Sequence, residues 1–223
     1  MSQLCNNIRP PESNGDLTFI NTNETQWRDQ PQELIEYGPK SETVMLYGGL
    51  TILQDQLIQA ALHSLGENFI PLPNPNFESF QKGKAFGNRG QCNPTYFTVG
   101  NLVKYLQNLR DEKGLSSEEI VKKYMYVTAG GCGPCRFGMY ITEYKKALRV
   151  AGFEGFRITS FEHVKGIFQG YEIEDEILNF SPKFFINLVK SVIIGDFINI
   201  LGFKMRPYEV EPGSVDRAIE KCR

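Results

Sequence analysis

The residues best suited to chemistry are the cysteines. The chain has five, Cys5, Cys92, Cys132, Cys135 and Cys222. An odd and sparse set does not build a disulfide scaffold. Cys132-Gly133-Pro134-Cys135 pairs two thiols at a spacing that belongs to metal or redox chemistry in a reducing compartment. Three chemistries fit it. A dithiol–disulfide couple uses Cys132 as nucleophile and Cys135 as resolving thiol. Zinc takes the pair as half of a tetrahedral site, and an iron–sulfur cluster takes it as two of its thiolate ligands. Cys92 offers a third thiolate. Cys5 and Cys222 stand in terminal segments and read as incidental thiols.

The residues around the pair favour thiolate over thiol. Gly130-Gly131-Cys132-Gly133 permits tight turns and presents backbone N–H groups, which suit anions, including cluster sulfides. A helix beginning at Cys135 aims its positive end at the site, and Arg136 adds a cation. The Cys-Gly-Pro-Cys tetrapeptide is also that of thioredoxin. Three facts oppose that reading. Gly131 precedes the first cysteine where thioredoxins carry Trp, the motif begins only at residue 132, and no apolar-Pro-Thr element follows it. No Ser/His/Asp or Cys/His set stands out for hydrolysis. His63 and His163 read as surface histidines, and Tyr140 and Tyr144 as core.

The elements that must position these thiols follow from periodicity. Thr43–Tyr47 reads as a strand ending in Gly48-Gly49. Ile52, Leu53, Leu57, Ala60 and Ala61 recur at helical spacing up to Gly66, and Phe69–Leu72 is a second strand. This βαβ unit implies parallel pairing. Pro73 to Thr98, rich in Asn, Gly and Pro, reads as a long connection carrying Cys92, with a helix following over 99–109. Ser116-Ser117-Glu118-Glu119 is a capping-box helix start. Tyr124–Thr128 is a strand, the helix after Cys135 places Tyr140, Ile141, Tyr144 and Leu148 on one face, and Phe156–Ser160 is another strand. The expected fold is α/β, a Rossmann-like layered domain with a mostly parallel sheet and a helical C-terminal segment. Loops at the carboxyl edge of such a sheet gather ligands, so the Cys92 and Cys132/Cys135 segments are expected to face each other there. The expected division is a polar arm over 1–42, a cysteine-bearing α/β domain over 43–165 and a helical extension over 166–223.

Composition bounds the rest. With 223 residues, 41% apolar, 22% charged and a net charge of −2, the chain is neither disordered throughout nor strongly basic. That excludes a global nucleic-acid footprint. Met1–Pro11 lacks the apolar core of a signal peptide. Phe184–Leu201 is long enough for a span but carries Asn187, Lys190, Asp196 and Asn199, so it reads as a buried amphipathic helix, its N-terminus set by Ser181-Pro182 and its end by Gly202. The expectation is a cytoplasmic protein with no membrane and no nucleic-acid partner.

Several segments together carry a family resemblance. Cys132–Tyr140, Glu143–Leu148 and Gly152–Arg157, with Gly83–Pro94 around Cys92 and Thr98–Leu102, resemble the C-terminal iron–sulfur module of large proteins related to activators of 2-hydroxyglutaryl-CoA dehydratase. Arg206-Pro207-Tyr208-Glu209 resembles a later segment of that module. The resemblance implies a 4Fe–4S-type cluster on Cys92, Cys132 and Cys135, with Gly130, Gly131, Gly133 and Arg136 as its neighbours. Arg206, Tyr208 and Glu209 would then orient a ligand, or form a structural turn with an Arg–Glu pair. It further implies an acyl-CoA ligand and a partner, either a second dehydratase-like subunit or an ATP-dependent activator. The chain has no ATPase motif of its own and is short for a complete dehydratase subunit. A dithiol oxidoreductase and a zinc-held module without catalysis are the other readings of the same cysteines.

Overall fold

The computed structural model describes residues 37–128, 136–160 and 181–221, except for the side chains of Arg136 and Phe137. The chain divides into two units, 1–34 and Ile35–Arg223, and the described residues all belong to the second. The division falls earlier than the expected boundary at 42. Tyr37 belongs to the second unit, donating from Oη to Gly155 O (2.8 Å) and lying 4.3 Å from the Arg157 guanidinium.

Four strands form one all-parallel sheet: β1 (Val44–Tyr47), β2 (Phe69–Pro71), β3 (Tyr124–Thr128) and β4 (Arg157–Ser160), in the order β2-β1-β3-β4. Their side chains alternate between two cores. Val44, Leu46, Tyr124 and Tyr126 enter one core. Met45, Tyr47, Met125 and Val127 enter the other. Strands buried on both faces account for the near-continuous apolar runs in the sequence.

On the first face lie α2 (Phe77–Phe86), α3 (Asn93–Asp111), α4 (Ser117–Lys123) and α5 (Tyr140–Val150). On the second lie α1 (Ile52–His63) and α6 (Pro182–Met205), followed by the short α7 (Ser214–Lys221). The α/β layered fold expected from the sequence is the fold observed. The capping boxes at Thr51 and Ser116 set the starts of α1 and α4.

Three expectations are corrected. The stretch from Pro73 to Thr98 is not one long loop. It holds α2, begun by a capping box at Asn76, and the first turns of α3, which starts at Asn93 rather than Val99. Gly83 contributes to the loop reading although it serves a helix contact, as does Gly100 in the helix that was expected. Gly83 and Gly100 lie where α2 and α3 cross, and a methyl group on either would overlap backbone of the other helix. They are there for close approach, not for turns. Secondly, Gly202 does not end α6, which continues to Met205. Its Cα faces α7, where an added Cβ would come within 2.6 Å of Ile219. Thirdly, α6 is not a buried amphipathic helix. Pro182–Tyr208 is long and apolar enough to cross a membrane by length and composition, and only 17% of its apolar window is buried.

Candidate functional site around Cys92

Cys92 is the N-cap residue of α3, with Pro94 in the first turn. Its extended backbone lets its carbonyl accept from Thr95 N–H at 3.1 Å, which starts the helix. The side chain makes no cap hydrogen bond. Sγ lies 3.0 Å from Thr95 Oγ1 and 3.6 Å from Tyr140 Oη. Both hydroxyls can donate to sulfur and stabilise its anion. The Thr95 hydroxyl first and the Tyr140 hydroxyl second hold the thiol below its ordinary pKa. The side chain is half-buried, packed at the margin of the first core yet open to solvent. Low pKa with access is the condition for a reactive or metal-binding thiol.

The segment before Cys92 is anchored to α5. Glu143 is buried, and its carboxylate accepts from Asn88 N–H (3.3 Å), Asn88 Nδ2 (2.7 Å) and Gln91 Nε2 (2.9 Å). Tyr96 Oη accepts from Gln91 N–H at 3.0 Å and donates to Asn88 O at 3.1 Å. Lys146 Nζ donates to Phe86 O at 2.8 Å. Residues 86–92 are thus tied to α3 and α5 through Phe86, Asn88 and Gln91. A buried carboxylate with three donors is a strong clamp, because charge-assisted bonds exceed neutral ones and solvent cannot compete.

Thr98 and Asn101, on the α3 turns after Cys92, line a cavity of about 60 Å³ with Gly48, Gly49, Asp55 and Tyr126. Gly48 and Gly49 follow β1, so this part of α3 stands at the carboxyl edge of the sheet, and Cys92 lies about 9 Å further out along the helix. The cavity opens where the strand order reverses between β1 and β3, the switch point at which open α/β sheets receive ligands. Asp55 is buried there, and its Oδ1 has no hydrogen-bond partner among the described residues. Burial raises its pKa from 3.8 to about 6. A line of phenols runs from the cavity to the thiol. Tyr126 Oη is 3.4 Å from Tyr144 Oη, Tyr144 packs edge-on against Tyr140, and Tyr140 reaches Cys92.

Cys132 and Cys135, with Gly130, Gly131 and Gly133, lie outside the described residues, as do Cys5, Cys222 and His163. Arg136 begins a 3₁₀ turn that leads into α5. Among the described residues no three His, Cys, Asp or Glu side chains group as metal ligands. His63 is exposed, and Tyr140 and Tyr144 are buried, as expected.

Arg206, Tyr208 and Glu209 sit elsewhere. Their turn ends α6, on the other face of the sheet from α3 and α5. Arg206 pairs with Asp216 at 2.7 Å, not with Glu209. The Glu209 carboxylate instead accepts from Gly213 N–H and Val215 N–H, both at 2.8 Å, and so shapes the start of α7. Tyr208 is exposed.

Sequence reasoning missed Asp55, Glu143, Thr95 and the role of the Tyr140 hydroxyl. Asp55 falls inside an otherwise ordinary helix start, and nothing in its neighbours marks it. Glu143 and Asn88 lie in two segments singled out for other reasons, and only their contact explains both.

The chain matches no protein-family model, no curated protein and no solved structure.

Proposed function

We propose that the chain is the cysteine-bearing lobe of a 2-hydroxyacyl-CoA dehydratase or activase-type system, holding a 4Fe–4S cluster through Cys92, Cys132 and Cys135. The supporting observation is the position of Cys92. It is a solvent-reachable, low-pKa thiol whose sulfur touches Tyr140, five residues after Cys135 in sequence. A dithiol couple needs two sulfurs and leaves such a third thiol without a task. A three-thiolate site uses it.

The donor chemistry at Cys92 fits the cluster. Thr95 and Tyr140 stabilise the thiolate, and Glu143 fixes the approach segment so that the sulfur is held in place without metal. The Gly130, Gly131 and Gly133 amides and Arg136 would offset the charge of the group. When bound, such a cluster supplies low-potential electrons or an iron site for an acyl-CoA thioester. A second dehydratase-like subunit or an ATP-dependent activator would complete the system, in the reducing cytoplasm.

The test is anaerobic purification with measurement of iron, acid-labile sulfide and the broad thiolate-to-iron absorption near ~400 nm. Iron, sulfide and colour that are lost in Cys92→Ala are expected. Colourless protein after anaerobic reconstitution overturns the proposal. Zinc at about one per chain identifies the site as structural instead. Cys92→Ala that still cycles between dithiol and disulfide, with no iron in the parent chain, identifies the dithiol reading.

A further inference from the structure

The cavity at the carboxyl edge of β1 and β3 contains a hydrogen-bond acceptor that its own walls leave without a donor. Asp55 lines the cavity and is only 5% exposed. Its Oδ1 has no hydrogen-bond partner among the described residues. The donors around it are committed elsewhere. Tyr47 Oη donates to the main-chain carbonyl of Asp55 at 2.5 Å, not to the carboxylate. Asn101 Nδ2 donates to Pro73 O at 2.6 Å, and Thr98 Oγ1 donates to Pro94 O at 3.0 Å. Tyr126 Oη pairs with Tyr144 Oη at 3.4 Å.

Charge is unbalanced in the same place. Among the described residues, no Lys, Arg or His lines the cavity. Burial lifts the Asp55 pKa only to about 6, so the group is mostly ionised at pH 7 and above. A buried carboxylate without a countercharge destabilises a fold. A buried polar group that the chain leaves unsatisfied calls for a partner from outside it.

Size and lining narrow that partner. At about 60 Å³ the cavity is less than half of the ~150 Å³ that admits a benzene ring, and about twice the ~30 Å³ share of one water. It has room for roughly two or three non-hydrogen atoms. Leu50, Leu72, Pro73 and Pro75 make much of its wall apolar. Water or an alcohol would supply a donor but no charge. An anion would meet the carboxylate's repulsion. A hard metal ion needs several oxygen ligands at once, and among the described residues no three His, Cys, Asp or Glu side chains group together. An ammonium group on a short carbon stem supplies the donor, the charge and the apolar surface together.

We propose that this cavity binds the protonated primary-amine end of a small ligand, with Asp55 as its acceptor and counter-ion. The ammonium N–H donates to the carboxylate, and the first carbons of the stem lie against Leu72 and the two prolines. The proposal does not rest on the cluster. A chain with Cys92, Cys132 and Cys135 replaced by Ser should bind the amine equally.

The test uses the full chain and ethylammonium chloride. For a probe of three non-hydrogen atoms, the expected Kd is on the order of 1–10 mM. In protein labelled with ¹³C at aspartate Cγ, the Asp55 resonance is identified by its loss in Asp55→Asn. At about pH 8 it should shift saturably with ethylammonium. Tetramethylammonium has the same charge but no N–H donor and a wider body, and it should leave the resonance in place, as should potassium chloride. Ethylammonium at about 100 mM should also raise the melting temperature by about 2–5 °C over the same concentration of either control salt. That gain should vanish in Asp55→Asn, which keeps the side chain's shape. A resonance that ethylammonium does not move overturns the proposal, because Oδ1 then takes water alone. An equal shift with either control salt overturns it too, as does a melting-temperature gain that Asp55→Asn retains.

Discussion

At the scale of single residues, the thiol of Cys92 is set by two hydroxyls. Thr95 lies three residues on, within the first turn of the same helix, and Tyr140 comes from α5. Each lowers the thiol pKa by donating to the anion. In a chain whose other four cysteines are replaced by Ser, the rate of iodoacetamide alkylation against pH should report a Cys92 pKa below the ordinary thiol value. Thr95→Val should move it up, and Tyr140→Phe should move it up by less. Unmoved profiles in both variants would show that the hydroxyls do not act on the sulfur. Three cysteines were visible as candidates in the sequence because thiols are rare and their chemistry is narrow. The hydroxyls were not, since Thr and Tyr are common and only a distance distinguishes these two.

At the scale of elements, the crossing of α2 and α3 places the cysteine. Cys92 begins α3, and the close approach of the two helices at Gly83 and Gly100 fixes where that beginning lies. In an exposed helix interior, Gly→Ala gains about 1 kcal/mol of stability. Here the sign should reverse. The atoms that a methyl meets are backbone, which cannot rotate aside, so Gly83→Ala and Gly100→Ala should each cost about 1–3 kcal/mol or more in urea unfolding. Stabilisation in either variant would mean that the helices are further apart than described. Gly83 helps to explain why the sequence reads this region as a loop. A glycine removes a side chain both where the chain turns and where two helices touch, and composition cannot tell the two apart. The strands and α1, α4 and α5 were legible for the opposite reason, since each carries its own periodicity or cap.

At the scale of the molecule, two layers of helix enclose a parallel sheet, and the layers differ. One holds Cys92, clamped through Glu143. The other includes α6, whose outward Ile186, Val189, Ile193, Phe197 and Ile200 are exposed. Between them, at the carboxyl edge, Asp55 is buried with no partner for Oδ1 among the described residues. Burial lifts its pKa from 3.8 to about 6 in the folded state, so folding binds a proton there. The stability this contributes is complete below about pH 4 and is lost as pH rises through about 6. At pH 8 the folded protein therefore carries a buried charge it does not favour. Asp55→Asn, which keeps the shape and removes the charge, should be more stable than the parent by about 1–2 kcal/mol at pH 8, after allowance for solvent screening, and equal to it below about pH 4. A variant less stable at pH 8 would show that the carboxylate has a partner in the folded protein.

The sequence by itself determined the α/β class, the parallel strands, the capped starts of α4 and α6, and the candidate thiols. These depend on neighbours in the chain, through periodicities of two and 3.6 and through hydrogen bonds spanning three residues. Tertiary structure alone decided the rest. It brought Glu143 to Asn88 and Gln91, and Tyr140 to Cys92, across some fifty residues of chain. It made helix contacts of Gly83, Gly100 and Gly202, left Asp55 Oδ1 without a hydrogen-bond partner among the described residues, and put an apolar helix on the surface instead of in the core. Each of these is a fact about which side chain meets which, and burial and pairing are set by distant neighbours that no local pattern encodes.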